Sequence, residues 1–178
     1  MFDRIHILGA SGSGTTTLAE RLCGRLSHAH FDSDDFLWEK KFTLLKPREE
    51  RLSSLRARLE TAERWILSGA VIDWGNPLIP LFDLVIFVSV PDEVRLERLR
   101  RRERERHGES IQPGHEKHEN FLEFMEWASL YEIEGTDVRS RRQQEEWLEQ
   151  LGCPVLRVEN RGSLEEAVDA AAAFLEGN

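Results

Sequence analysis

The stretch Gly9-Ala10-Ser11-Gly12-Ser13-Gly14-Thr15-Thr16-Thr17 has the residue types and spacing to hold a phosphate group. Gly9 and Gly14 stand at the two glycines of the pattern G-x-x-x-x-G-K-[ST], and Thr16 stands at its Ser/Thr place. Gly9, Gly12 and Gly14 can take backbone angles closed to other residues, so successive N–H groups can converge on one anion. The loop opens a helix, whose first N–H groups are unpaired and whose dipole is positive at that end. The Thr16 hydroxyl suits Mg2+, and Thr17 can donate to a neighbouring phosphate. One position departs from the pattern. Thr15 occupies the lysine place, so the loop lacks the usual point charge on the outer phosphates. Weaker binding, or another cation in its place, is the expectation.

Asp32 and Asp34 are the second chemical signal. Two carboxylates one residue apart, directly after a strand, point to the same side of the chain. Beside a bound triphosphate one of them can hold Mg2+, directly or through water, and the other can orient or deprotonate a substrate hydroxyl. Alone, the pair would read as a solvated acidic turn capping a helix, which is also the reading kept for Asp35. The third signal is arginine. Twenty of the 24 basic residues are arginine, and seven of those lie between Arg95 and Arg106. Arg95, Arg98 and Arg102 share a helical face, Arg101 lies one position off it, and Arg106 leads into Gly108, where the helix should end. Guanidinium groups stabilise a transferring phosphoryl group, so Arg98, Arg102 and Arg106 are candidates for the charge that Thr15 cannot supply. The competing reading is an exposed helix laced with pairs to Glu97, Glu103 and Glu105.

Elements that position these groups follow from the pattern. The run Ile5 to Leu8 is a buried strand, followed by a helix from Gly14 to Leu26 with Leu18, Ala19 and Leu22 on its apolar face. A short strand, 29–31, ends in the aspartates. A helix over 47–63 follows, with Pro47 in its first turn. Strands at 65–67 and 84–90 come next, the latter stopped by Pro91, with a helix from Asp92. Helices over 118–131 and 139–151, a strand at 155–158, and a helix capped by Ser163 with Glu166 three residues on complete the order. Strands alternating with helices predict an α/β fold: a parallel sheet covered on both faces, with ligands at the carboxyl ends of its strands. Gly9, Asp32 and the Ser68-Gly69 turn should therefore gather at one edge. The strand before Pro91 has Asp83 at its start and no acid at its end, which favours a small-molecule kinase over a mechanical ATPase. Trp38 and Trp74 fall in loops near that edge, where either could stack on a flat substrate, while Phe124, Trp127 and Trp147 read as core. His107, His115 and His118 lack a recognisable ligand spacing.

The 178 residues suit a single domain with a substantial core. The net charge of -9 argues against a broad nucleic-acid surface. No apolar run reaches the length of a membrane span and no signal peptide is apparent. Cys23 and Cys153 are isolated, as in a reduced cytoplasmic protein. Monomer and homodimer both stay open.

With these motifs assembled, the chain resembles the shikimate kinase and nucleoside monophosphate kinase branch of P-loop kinases. Phe31-Asp32-Ser33-Asp34 looks like the matching stretch of shikimate kinases. Pro47-Arg48-Glu49-Glu50 and the strand Trp65-Ile66-Leu67-Ser68-Gly69 look like the relatives called DNA topology modulation proteins or adenylate kinase-like ATPases. The resemblance implies a three-layer α/β/α sandwich on a five-stranded parallel sheet, ATP and Mg2+ as cofactors, a substrate-binding helical region near 36–62 and a lid near 100–118. It implies phosphate contacts from Gly9, Ser11, Gly12, Ser13, Gly14, Thr15, Thr16 and Thr17, and metal contacts from Thr16 and Asp32. Asp34, Trp38, Arg48 and Gly69 would touch the acceptor. Asp32, Asp34, Arg98, Arg102 and Arg106 would carry catalysis. Ser68-Gly69-Ala70-Val71 replaces the glycine run of shikimate kinases and the Asp-Gly of adenylate kinases, so neither shikimate nor AMP is indicated. The expected function is ATP-dependent phosphoryl transfer to a nucleotide or hydroxylated metabolite. The alternatives are a nucleotide-binding regulator or a slow NTPase.

Overall fold

The computed structural model describes residues 2–40, 44–133, 139–161 and 163–177. In chain order the elements are β1 (Arg4–Gly9), α1 (Thr15–Leu26), β2 (Ala29–Asp32), α2 (Asp34–Leu37), β3 (Trp38–Lys40), β4 (Leu44–Leu45), α3 (Arg48–Leu59) and β5 (Trp65–Ser68). A 3-10 turn (Asn76–Leu81) leads to β6 (Leu84–Ser89) and α4 (Asp92–His107), and a second one (Gly108–Ile111) to α5 (His118–Ser129). A third (Leu130–Glu132) precedes α6 (Arg141–Leu148), β7 (Val155–Glu159) and α7 (Leu164–Glu176).

Five strands form a parallel sheet, as the sequence predicts, and their order is β2-β5-β1-β6-β7. Alternation along β1 decides what each face buries. Ile5 and Ile7 pack under α1 and α7, with Leu18, Leu22, Val168 and Ala171. His6 and Leu8 face the other layer, with Leu55 and Leu59 of α3, Phe82, Trp147 and Phe87. Because β1 is central, chain reversal occurs on either side of it. The loop after β1 therefore opens at the middle of the sheet edge, with the end of β5 on one side and the end of β6 on the other.

Differences from the sequence reading have local causes. The helix expected over 47–63 stops at Leu59, with Pro47 as its N-cap residue. Between β5 and β6, Pro77 and Pro80 break the α-helical ladder and leave a 3-10 turn. Trp74 does not wait at the site edge: it is buried, and its Nε1–H donates to the Ala70 carbonyl at 3.2 Å. Trp38 opens the small antiparallel β3–β4 pair rather than a loop, half-buried against the α3-side core. The region 36–62 comprises α2, that strand pair and α3, with residues 41–43 outside the described residues. The segment read as a lid begins inside α4, which runs unbroken to Gly108, where a φ of +55° ends it. The expected caps are present: Ser163 Oγ accepts the Glu166 N–H at 3.4 Å. Asp83, at the opposite sheet edge, accepts the N–H groups of Asp3 and Arg4 and has no part in the site.

His6 gives the fold a pH limit. It is fully buried, stacked on Phe82 at 4.9 Å and edge-on to Trp147 at 5.8 Å, with Nδ1 3.0 Å from the Leu67 carbonyl. That carbonyl fixes the tautomer with the proton on Nδ1. Burial pushes the imidazole pKa down to about 4. The unfolded chain takes up this proton near the ordinary value of 6.5, so acid favours unfolding between those two values. Stability is full above 6.5 and should fall by about 3 kcal/mol as pH drops to 4. Urea titrations across that range should show the fall, and His6→Phe should flatten it. A pH slope unchanged in His6→Phe would assign it to other groups.

Candidate functional site

The loop between β1 and α1 is shaped by contacts that leave no room for side chains. A Cβ on Gly9 would run into the Val88 carbonyl of the neighbouring strand. Gly12 has φ +87° and packs against α4: a Cβ there would lie 2.9 Å from Leu99 Cγ and 3.0 Å from the Arg95 carbonyl. Gly14, with φ +92°, is the residue from which α1 starts, and a Cβ there would meet Asn160 Nδ2 at 3.1 Å. Positive φ at Gly12 and Gly14 is what the tight loop requires of glycine. The Ser13 N–H donates to the Ala10 carbonyl at 3.0 Å, closing the turn, and Ser13 itself is buried. Thr15, Thr16 and Thr17 form the first turn of α1, where backbone N–H groups have no intrahelical partner. Ser11 and Thr15 are half-buried beside this turn and Thr17 is exposed.

Next to the loop stands an oxygen-rich corner. Thr16 Oγ1 donates to Asp32 Oδ2 at 2.9 Å, and the Asp34 N–H donates to Asp32 Oδ1 at 2.9 Å. The Asp32 carboxylate is thus held from both sides, one of them the start of the single-turn α2. Gly69, with φ +96°, lets β5 end against this corner, since a Cβ there would strike Ser33 Oγ and approach Asp32 Oδ1 to 3.3 Å. Ser33 N–H donates to the Ser68 carbonyl at 2.9 Å, which registers the Asp32-Ser33-Asp34 turn on the sheet. A hydroxyl and a carboxylate beside a glycine loop that opens a helix are the hard oxygen donors that Mg2+ takes, so these residues fit that ion.

Asp34 lies one step farther out. Its carboxyl is pushed up by partial burial and by Asp32, and pulled back by Arg139 and Arg102. The charge of both guanidinium groups therefore reaches the acid. Each rests on an aromatic ring: Arg102 over Phe124 at 6.0 Å and Arg139 over Trp127 at 5.9 Å. Phe124 and Trp127 are not the core residues the sequence suggested. They are half-buried, stacked on each other at 5.9 Å, and form the platform under both arginines.

The remaining arginines divide along α4. Arg95, only 1% exposed, donates through Nη1 to the Ser11 carbonyl at 3.4 Å and through Nη2 to the Ala128 carbonyl at 2.7 Å. It also pairs with Asp92 and lies over the Tyr131 ring at 5.1 Å. Arg98 Nη2 donates to Asn160 Oδ1 at 3.2 Å. Arg106 is exposed and shares Glu103 with Arg102 and His107, at 3.8, 3.3 and 3.4 Å respectively. Arg48 is exposed and donates to the Asp73 carbonyl at 2.5 Å, tying the start of α3 to the segment after β5. His118 contacts the Ile111 carbonyl at 3.0 Å, closing the turn before α5.

The fold thus brings Gly9 to Thr17, Asp32, Asp34, Gly69 and Arg102 to one edge, sets Arg98 at the β7 side of the loop, and leaves Arg106, Arg48 and Trp38 in the contacts just given. Two residues escaped the sequence reading. Arg139 had no partner at helical spacing and looked like a helix start. Asn160 follows the last strand, so the rule that singled out Asp32 would have found it.

The comparisons agree with this geometry. The family described as AAA domain matches residues 5–121, well over half of the chain. A relative from Bacillus subtilis (strain 168), described as the uncharacterized protein YqaC, is 47% identical over 178 residues, covering 100% of both chains. Among solved structures, a gluconokinase from Sinorhizobium meliloti 1021 aligns with a TM-score of 0.58 at 17% identity, over 97% of this chain and 91% of its own. A shikimate kinase from Bacteroides thetaiotaomicron gives 0.57 at 19% identity, over 99% of both chains. A sugar kinase from Janibacter sp. HTCC2649 gives 0.54 at 16% identity, over 99% and 95%. The protein belongs to the AAA domain family and has the P-loop kinase fold. Among the described residues no helix is long and apolar enough to cross a membrane.

Proposed function

We propose that this protein transfers the terminal phosphoryl group of ATP to a hydroxyl of a small molecule. The observation that carries the reading is the contact of Thr16 Oγ1 with Asp32 Oδ2 at 2.9 Å, beside a glycine loop opening a helix, with Asp34 one step beyond. The loop and the first turn of α1 would bind the phosphates through backbone N–H groups. Thr16 and Asp32 would hold Mg2+, which when bound neutralises charge on the phosphate oxygens. Asp34 would take the proton of the acceptor hydroxyl as its oxygen bonds to phosphorus and the bond to ADP breaks. Burial and Asp32 both make Asp34 more basic than an ordinary carboxylate, which suits that step. Arg102 and Arg139 would face the transferring group or an anionic part of the acceptor, supplying charge from the acceptor side where Thr15 supplies none from the loop.

The structural neighbours named as gluconokinase, shikimate kinase and sugar kinase support a small hydroxylated acceptor rather than a protein. Thr15 supports a second reading, a nucleotide-binding regulator with little turnover. One assay separates the two. The protein is incubated with ATP, Mg2+ and a panel of nucleotides, sugars and hydroxy acids, and ADP and free phosphate are both measured. ADP formation that depends on an acceptor is the expected result. Phosphate release without an acceptor would mark a slow NTPase. Binding of ATP with no turnover on any member of a broad panel would favour the regulator.

A further inference from the structure

We infer that Arg95 and Asn160 are positioning residues that set the anion-binding shape of the loop by pinning the carbonyls of Ser11 and Ser13. Arg95 Nη1 donates to the Ser11 carbonyl at 3.4 Å, and Asn160 Nδ2 donates to the Ser13 carbonyl at 3.0 Å. No described peptide is cis. In a trans peptide the carbonyl and the following N–H point in opposite directions. Holding the Ser11 carbonyl toward α4 therefore turns the Gly12 N–H away from α4. Holding the Ser13 carbonyl toward β7 turns the Gly14 N–H away from β7. Both N–H groups are thereby turned off those neighbours, and we read them as available to an anion in front of α1. The two pinned peptides are separated by one residue, and both lead into the positive-φ glycines.

Each pin is itself fixed. Arg95 and Asn160 are 1% and 2% exposed. The guanidinium is held by Asp92, the Ala128 carbonyl and the Tyr131 ring. Asn160 is held by its own N–H on the Ser89 carbonyl at 2.8 Å and by Arg98 on its Oδ1 at 3.2 Å. Neither residue can swing to a new partner without losing buried hydrogen bonds, which favours this loop shape before any ligand arrives. The absence of lysine at Thr15 raises the stakes. Without an ammonium on the outer phosphates, a larger share of the binding falls on backbone N–H groups. Their orientation is then the quantity that matters most. Arg95 also joins the loop to α5, the helix whose Phe124 and Trp127 carry Arg102 and Arg139. Phosphate cradle and acceptor wall thus share one brace.

The inference rests on the phosphate-binding reading of the loop. It is tested with inorganic tripolyphosphate, which reports on the cradle without a base or sugar. Asn160→Leu removes the donor with little change in volume or charge. Arg95→Lys keeps the charge but cannot reach all the acceptors, and serves as the second variant should Asn160→Leu fold poorly. Affinity is measured by calorimetry well below each variant's melting temperature, and the amide resonances of Gly12 and Gly14 are followed in the ligand-free proteins. Tripolyphosphate affinity should fall about 10-fold in each folded variant, the loss of one hydrogen bond's worth of orientation. The Gly14 resonance should shift in Asn160→Leu and the Gly12 resonance in Arg95→Lys. A lower melting temperature with unchanged affinity would make the residues merely structural and overturn the inference. Wild-type protein that binds no tripolyphosphate at millimolar concentration would remove the phosphate-binding reading itself, a result visible before any variant is made.

Discussion

Asp32→Asn should lower Mg2+-dependent turnover of ATP by about 100- to 1000-fold, the scale on which a preorganised charge at a reacting phosphate acts. The substitution is conservative where the fold is concerned. Asp32 Oδ1 accepts the Asp34 N–H at 2.9 Å, and an asparagine oxygen can keep that bond. The other side chain atom faces Thr16 Oγ1, and a hydroxyl can accept from an amide as readily as it donates to a carboxylate. What disappears is the negative charge that a divalent cation needs beside the phosphates. Melting temperature should therefore change little while the Mg2+ concentration for half-maximal turnover rises. Thr16→Val should act in the same direction and cost less, since it removes a neutral ligand. Near wild-type turnover in Asp32→Asn at low Mg2+ would place the metal elsewhere and remove the role assigned to this corner.

The middle of the sheet was legible because β1, β5 and β6 are largely apolar and buried, and because glycine, proline and acidic residues punctuate the strand ends. Ile5 to Leu8 and Leu84 to Ser89 are short, β-branched-rich runs bounded by glycine or proline, which favours strands over helices. The loop and the Asp32 corner were legible for a related reason: their residues follow strand ends directly, so knowing the sheet is parallel puts them at one edge. The arginines were harder. Helical spacing placed Arg95, Arg98 and Arg102 on one face correctly, but could not say that the first is buried under the loop, the second bound to Asn160 and the third laid over Phe124. Those fates depend on which other element reaches the helix: Ala128 of α5 lies 33 residues from Arg95 in sequence, and Asn160, just after β7, lies 62 residues from Arg98. Arg139 and the Phe124–Trp127 pair were missed on the same ground. An aromatic pair at helical spacing reads as core until the structure shows cations covering it.

Arg139→Met combined with Arg102→Met should cut turnover by about 1000-fold or more, since an arginine at a transferring phosphoryl group is worth that much where it has been removed. Arg106→Ala should change turnover little, because its guanidinium is exposed and paired with Glu103. The two effective arginines also leave a signature on Asp34. Their positive charge favours its ionised form and holds its pKa down against burial and Asp32. Removing them raises that pKa, so the acid limb of the kcat/KM profile should move to higher pH in the double variant. Thr15→Lys provides the complementary arm. In the intact protein it should alter turnover little, because charge already reaches the site from the acceptor side. In the double-arginine variant it should restore part of the loss, and the coupling between the sites follows from the double-mutant cycle. If Thr15→Lys raises turnover equally in both backgrounds, the arginines and the missing ammonium act independently. The charge on Arg102 and Arg139 would then serve the acceptor rather than stand in for the loop lysine.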